Sequence, residues 1–505
     1  MPRGWLSPRG RVLSRAGVGV LGWVIAPDLV DEAVGDGLAW EMRLRALPAR
    51  LGVYFVLGLA MFSDLPYPQV LRELTGGLEA LLAGVGWQVP ASTALTKVRR
   101  RVGEAPLASL LRRLCSAVSP GRAPWSDVCG LLAVAWDGTM VAAEASAANI
   151  AAFGQLKGSK GGHYPHLRLV CLVACGTRAL LGAAAGPVCG KGTGEQHLAG
   201  QLLGRLRPGM LLLADRNFYS CRLWTAAGPG PGGTGAQLLW RVKSSMHLPV
   251  LAELPDGSWL AHVSDPRAVR ARLARNGQRR RRGSTLPPQT GPLPGITVRV
   301  IEFTLTVDTD DGGTRTERYR LITTLTDWRE YPAAELAAGY SCRWAVETGY
   351  REFKTYLRGS GRRLRGRTPD LARQELWAYL AIYQAIRVII ARAAARAGLD
   401  PGRISFTATL HAARRTLPAA RDDMGTALAQ AETEILSCLV PVRDGRVCPR
   451  AVAARPPCPF PSRNTLKSPI PQHATYTTTI TSPAHTTHTP ADQARQPTPQ
   501  PARPP

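Results

Sequence analysis

YSCRWAVETGYREFK, residues 340–354, is the stretch around which the chemistry of this chain is arranged. Stepped around an α-helix at about 100° per residue, Tyr340, Arg343, Glu347, Arg351 and Lys354 fall within an arc of roughly 80°. One carboxylate then sits among three cations and a phenol. Such a face can hold a metal ion beside a phosphate backbone, because a carboxylate ligates a hard cation while Arg and Lys grip phosphate oxygens. The same residues also make an ordinary solvated face, with Arg343/Glu347 and Glu347/Arg351 as i,i+4 ion pairs. Taken alone, the stretch does not choose between the two.

Upstream, two apolar runs end in aspartate. Residues 131–136 lead into Asp137-Gly138-Thr139, and residues 210–214 lead into Asp215-Arg216-Asn217-Phe218-Tyr219. Both read as buried strands, which puts two carboxylates at strand ends, where open α/β sheets bind ligands. Each aspartate has a plainer role open to it: Asp137-Gly138 is a common turn dipeptide, and Asp215 could cap a helix. Asp137, Asp215 and Glu347 together, with no His/Cys cluster, select Mg2+ or Mn2+ over zinc. Two such ions suit an in-line phosphoryl displacement.

Tyr340, Arg343, Glu347 and Lys354 stand at the spacing Tyr, two residues, Arg, three residues, Glu, six residues, Lys. This resembles the signature of the IS4-family transposases, DDE-type cut-and-paste enzymes of bacterial insertion sequences. Only seven of the 63 basic residues are Lys, which makes a Lys at the required place more telling. The phrases WDGT at Asp137 and ADRNFY at Asp215 are also close to the family's motifs, and the resemblance spans roughly residues 28–455. It implies an α/β fold: a ribonuclease-H-like DDE catalytic core with an all-β insertion, preceded by a helical DNA-binding domain. It also implies Asp137, Asp215 and Glu347 as catalytic and metal-binding residues, phosphate contacts from Tyr340, Arg343 and Lys354 with Arg351 on the same face, and Trp344 as a candidate to stack on an extruded base. The implied partners are double-stranded DNA, at transposon ends and target, and a second copy of the chain on DNA. The implied reaction is nicking at the transposon end, hairpin formation and opening, and strand transfer.

The remaining segments fit around this core. Residues 28–117 read as helices, among them a basic one opened by Ser92 as N-cap and carrying Lys97, Arg99, Arg100 and Arg101, suited to docking on DNA in helix-turn-helix style. Residues 237–324 alternate as strands. Inside them, residues 267–282 hold eight Arg and no acid, which reads as a disordered basic loop or a phosphate-tracking arm. A further basic loop spans residues 358–367, and a long helix covers residues 371–397. The expected organisation is residues 1–125 helical and DNA-binding, 126–225 the first part of the core, 226–325 the β insertion, 326–455 the second part of the core, and 456–505 a Pro/Thr-rich disordered tail.

A formal charge of +27 and a pI near 10.5 demand a polyanionic partner. An anionic membrane surface is the weaker choice, since no run reaches about 18 apolar residues. Arg3, Arg9, Arg11 and Arg15 before the apolar run at residues 16–26 imitate a signal peptide, yet no clear cleavage site follows. Ten cysteines without a CxxC pair read as reduced thiols, and a cytoplasmic, nucleoid-associated location is expected. Two rival functions share these features: a catalytically silent DNA-binding regulator derived from a transposase, and a metal-dependent nuclease without strand transfer. Intact carboxylates at all three positions count against the first, because a pure binder has no use for groups that repel phosphate.

Overall fold

The computed structural model describes residues 8–36, 47–117, 125–156, 164–281, 293–309, 314–418, 423–441 and 474–482. They divide into two compact units, Met1–Gln237 with Ser341–Arg443, and Leu238–Tyr340 with Asp444–Pro505.

The first unit is built on β1 (Asp127–Val128), β2 (Leu131–Ala142), β3 (His166–Ala174), β4 (Leu180–Pro187) and β5 (Met210–Ala214). The main strands lie in the order β4-β3-β2-β5, with β2–β3 and β3–β4 antiparallel and β2–β5 parallel. Central strands flanked by helices need apolar residues on both faces, which is why β2 and β5 read as unbroken runs such as LLAVAW and MLLLA. The 29-residue helix Pro369–Ala397 is the spine of this unit. It is long and apolar enough to cross a membrane, but 78% of its most apolar window is buried inside the protein. Its Gln384 amide clasps β4 through both backbone groups of Leu180, at 2.7 and 3.0 Å. Its Arg387, fully buried, pairs with Glu352, which also accepts from Arg178 at 3.0 Å.

Residues 1–125, expected as a domain of their own, belong to the same unit as the core. The helices Ala49–Met61, buried from Arg50 onward, and Ala105–Ser116 pack on the long helix. Apolar faces this complete must be covered, and the long helix is what covers them.

The second unit holds β6 (Gln237–Arg241), β7 (Val250–Glu253), β8 (Trp259–Ser264), β9 (Gly295–Thr309), β10 (Thr314–Thr323) and β11 (Ala474–Ile480). The order is β6-β10-β9-β8-β7, every resolved pair antiparallel. Buried Arg299 on β9 knits it together by pairing with Asp256 and donating to Ser258 Oγ at 2.8 Å and Tyr331 O at 2.6 Å. The first segment of this unit spans 238–340, where the β insertion was expected at 226–325. The Gly/Pro loop before it folds back within the first unit, Gly235 N–H donating to Gly228 O at 3.2 Å.

Two further expectations change here. The Arg-rich run is a helix, Pro266–Arg281, rather than a loop, since Arg and Ala are strong helix formers; Arg282 lies outside the described residues. Within the supposed tail, residues 474–480 form β11 along β9, as befits the β-branched sequence ATYTTTI; residues 483–505 lie outside the described residues.

Candidate active site

The parallel register of β2 and β5 pairs Ala135 with Leu213. Two residues beyond each partner stand Asp137, still on β2, and Asp215, one residue past the end of β5. Neighbouring strands are separated by about 4.8 Å. Asp137 is not at a strand end as expected. Its strand continues to Ala142 because β3 goes on pairing with it, Asp137 opposite Cys171, after β5 has stopped at Ala214. Asp137 Oδ1 accepts from Gly138 N–H at 2.8 Å, and Asp215 Oδ1 from Arg216 N–H at 2.6 Å.

The signature stretch is not one regular helix. It runs as a 3-10 turn, Tyr340–Arg343, an α-helix, Trp344–Arg351, and a π-helix, Glu352–Leu357, so the single arc drawn from the sequence does not describe it. Glu347 and Lys354 are nonetheless held toward β2. The Arg343 guanidinium lies 3.0 Å from Glu347 Oε1 and 3.5 Å from Asp137 Oδ2, bridging two of the three carboxylates. Lys354 donates to the hydroxyl of Thr139, two residues past Asp137. Tyr350, one turn beyond Glu347, donates its hydroxyl to Asp137 O at 2.6 Å. Trp344 is 59% exposed, with the Arg343 guanidinium 5.6 Å from its ring centre, and Arg351 is exposed. Tyr340, expected among the outward phosphate-gripping groups, is instead buried.

Burial pushes the Asp137 carboxyl up to about 6; Gly138 N–H and Arg343 hold it down, while the charges of Glu347 and Glu195 push it further up. Burial lowers the Lys354 ammonium, Arg358 lowers it further, and Asp137 opposes both.

Glu195 escaped the sequence reading. A Cβ placed on Gly138 would lie 2.3 Å from Glu195 Oε1, so the missing side chain is what lets this carboxylate settle beside Asp137. Its neighbour Gln196 donates to Asn217 O at 2.9 Å and Tyr219 O at 3.2 Å, tying the start of the helix Glu195–Gly200 to the loop after Asp215. Arg168, 3.5 Å away, balances its charge. The only local signal was a Gly directly after the first Asp.

Among the described residues, no three His, Cys, Asp or Glu groups converge closely enough to hold a metal ion as they stand. The donor chemistry still fits a hard cation. The carboxylates supply oxygen, and the thiols of Cys171 and Cys175 are kept protonated by burial, which removes the soft ligands that would favour zinc.

The basic helix Ser92–Val102 departs from expectation at two places. Its cap position is Ala91, so Ser92 is the first helical residue and makes no capping bond. Arg99, expected on DNA, is 2% exposed: it donates to Gln374 Oε1 and Leu371 O, each at 3.1 Å, and to the Tyr67 hydroxyl, with Glu375 3.5 Å away. Lys97 and Arg100 are exposed, and Arg101 is half-buried with a bond to Leu47 O.

The structure ties Glu347 to Asp137 through Arg343, and Asp215 follows directly on the strand parallel to β2. The family described as "Transposase DDE domain" matches residues 130–384, and "Insertion element 4 transposase N-terminal" matches residues 15–112. The chain belongs to the IS4 family of DDE transposases, enzymes that depend on a divalent metal ion. It is 26% identical over 449 residues to "Transposase InsG for insertion sequence element IS4" of Escherichia coli (strain K12), covering 86% of this chain and 92% of that protein. A cryo-EM structure of the piggyBac transposase synaptic complex with hairpin DNA matches at a TM-score of 0.41 and 9% identity, over 84% of this chain and 82% of that one.

Proposed function

We propose that this transposase binds the terminal inverted repeats of its insertion sequence and catalyses both DNA cleavage and strand transfer, through a hairpin intermediate, with Asp137, Asp215 and Glu347 as its catalytic residues. The observation that carries the proposal is the Arg343 guanidinium bridging Asp137 and Glu347, with Asp215 directly following β5, the strand parallel to the one that bears Asp137. The three carboxylates would hold two Mg2+ or Mn2+ ions, which when bound polarise an attacking oxygen and stabilise the leaving 3′ oxygen. Each step breaks one P–O bond of a phosphodiester and forms one to the attacking oxygen. Water opens the transposon end, leaving a 5′ phosphate and a 3′ hydroxyl, and the freed 3′ hydroxyl attacks the opposite strand to form the hairpin and release a 3′ hydroxyl on the flank. Water reopens the hairpin, and the 3′ hydroxyl joins target DNA, releasing a target 3′ hydroxyl.

Arg343 is the group that must change partners. It neutralises Asp137 and Glu347 in the free protein; turned toward DNA, the same guanidinium clamps a phosphate by two donors and releases both carboxylates to ligate. Lys354 grips a second phosphate oxygen beside Thr139. Trp344 offers an exposed face for a base to stack on, with Arg351 beside it on phosphate. Lys97, Arg100 and Arg101 dock the inverted repeat, whereas buried Arg99 serves the fold. The basic helix Pro266–Arg281 and the loop at residues 358–367 track the backbone. Two copies of the chain act on paired ends in the nucleoid.

The test is cleavage of a labelled duplex carrying the flanking inverted repeat in Mg2+, comparing wild type with Glu347→Gln. Nicked or hairpin ends that vanish in the variant while DNA retention persists are the expected result. Equal retention with no cutting by either protein, in Mg2+ or Mn2+, would hand the chain to the silent-regulator reading, and cutting without joining to the nuclease reading.

A further inference from the structure

The hydroxyl of Tyr350 occupies an unusual place. It donates to Asp137 O at 2.6 Å and accepts from Cys171 N–H at 3.1 Å, and Asp137 and Cys171 are register partners on β2 and β3. A side chain of the glutamate-bearing helix is thus bonded to both strands at the rung that carries the first aspartate. Tyr350 follows Glu347 by three residues, the spacing that stacks side chains on one helix face. Between the backbone of Asp137 and the backbone of Glu347 the path is one phenol and one helical turn.

The same turn is fixed from behind. Gly349 lets the Tyr383 hydroxyl approach so closely that a Cβ there would lie 2.8 Å from it. Glu352 is buried between Arg178, at 3.0 Å, and Arg387 of the long helix. Arg178 itself holds a positive φ of 57°, a conformation that a side-chain-bearing residue keeps only where its surroundings hold it. Residues 349–352 are therefore gripped on the strand side by Tyr350 and on the helix side by this buried cluster.

We infer that Tyr350 is a positioning residue for the transposase reaction: its hydroxyl, bonded to the backbone of Asp137 and Cys171, sets the separation between the Asp137 and Glu347 carboxylates. Two ligands of one cation must hold their separation to within a fraction of an ångström, and a group one step removed that fixes them is worth a large factor in metal affinity. Arg343 cannot do this, since it has to leave the carboxylates when phosphate arrives. The Tyr350 hydroxyl bonds backbone groups rather than the carboxylates, so an arriving phosphate does not compete for it. The inference rests on the assignment of Asp137 and Glu347 as metal ligands, and the experiment separates the two.

The experiment uses the full chain as wild type, Tyr350→Phe, Gly349→Ala and Glu347→Gln. Mn2+ binding without DNA is measured by the electron paramagnetic resonance signal of free Mn2+, alongside retention of the inverted-repeat duplex and single-turnover cleavage. The Phe variant keeps the ring and its packing, so DNA retention stays at wild-type level. Its Mn2+ affinity falls by about tenfold. Cleavage at saturating Mn2+ falls by about a hundredfold, the cost of a small misplacement of reacting groups. Gly349→Ala retains the hydroxyl yet pushes the turn off Tyr383, and it shows the same pattern; it also decides the matter if the Phe variant does not fold. Wild-type Mn2+ affinity and cleavage in either variant, with Glu347→Gln impaired, overturns the role of Tyr350 alone. Wild-type Mn2+ affinity in Glu347→Gln overturns the metal assignment beneath it.

Discussion

Asp137 sits in the fold at an electrostatic cost. Burial raises its carboxyl from the ordinary 3.8 to about 6, so the folded state favours the protonated form. The resulting stability is complete below pH 4 and is lost as pH rises through 6, the reverse of an aspartate kept low by an ion pair. In cation-free buffer, Asp137→Asn should therefore be more stable than wild type at pH 8, by about 1–2 kcal/mol, and equal to it below pH 4. Thermal unfolding across that range checks this, and parallel pH profiles for the two proteins would refute it. The sequence singled out Asp137, Asp215 and Glu347 because each stands in a short phrase whose spacing is local. Glu195 was illegible for the opposite reason: it meets Asp137 only through the absence of a side chain at Gly138 and the fold that brings its helix across β2. Tyr340 and Arg99 looked outward because phenols and guanidiniums usually do, and nothing near either residue in the chain announces its burial.

Elements were easier to place than to shape. The apolar runs of β2 and β5 and the long helix stood out plainly, yet β2 runs on past Asp137 because β3 keeps pairing with it, a tertiary fact. The change from 3-10 to α to π geometry within residues 340–357 accompanies ties to Asp137, Thr139, Arg178 and Arg387 that lie far away in sequence. The helix Ser92–Val102 shows how one element divides its labour. Arg99→Ala takes the cation from buried Glu375, which keeps its bonds from the Arg365 and Gly366 N–H groups, and removes the donors to Gln374 Oε1 and Leu371 O, and should destabilise the protein by about 3 kcal/mol. Arg100→Ala should change stability by less than about 0.5 kcal/mol. On DNA, Arg100→Ala should instead lower the slope of log affinity against log salt by about 1, its share of released counterions. Denaturant unfolding and duplex binding at several salt concentrations separate the two, and a full salt slope in Arg100→Ala would remove this helix from the DNA face.

At the scale of the molecule, the charge of +27 announced a polyanionic partner, but no composition shift marked where the chain divides. The IS4-type segment at residues 15–112 reads as a separate module, while its helices fall in one unit with the first part of the core and residues 341–443. Periodicity reveals that a helix has an apolar face without revealing what covers it. Here Ala49–Met61 and Ala105–Ser116 are covered by Pro369–Ala397, and polar ties follow the same route: Gln374 donates to Arg99 O at 2.8 Å and Gly103 O at 2.7 Å, and Trp377 to Glu104 at 2.9 Å. A chain cut to residues 126–443 would bare that face of the long helix and remove the partners of Gln374 and Trp377, and so should not form a native core. It is expected to unfold without a sharp transition and to bind the dye ANS, as loosely packed states do, whereas the full chain does neither. A truncated protein that stays monomeric and melts cooperatively would show instead that the N-terminal helices are a detachable domain, and that the buried Arg99 network joins two parts able to fold alone.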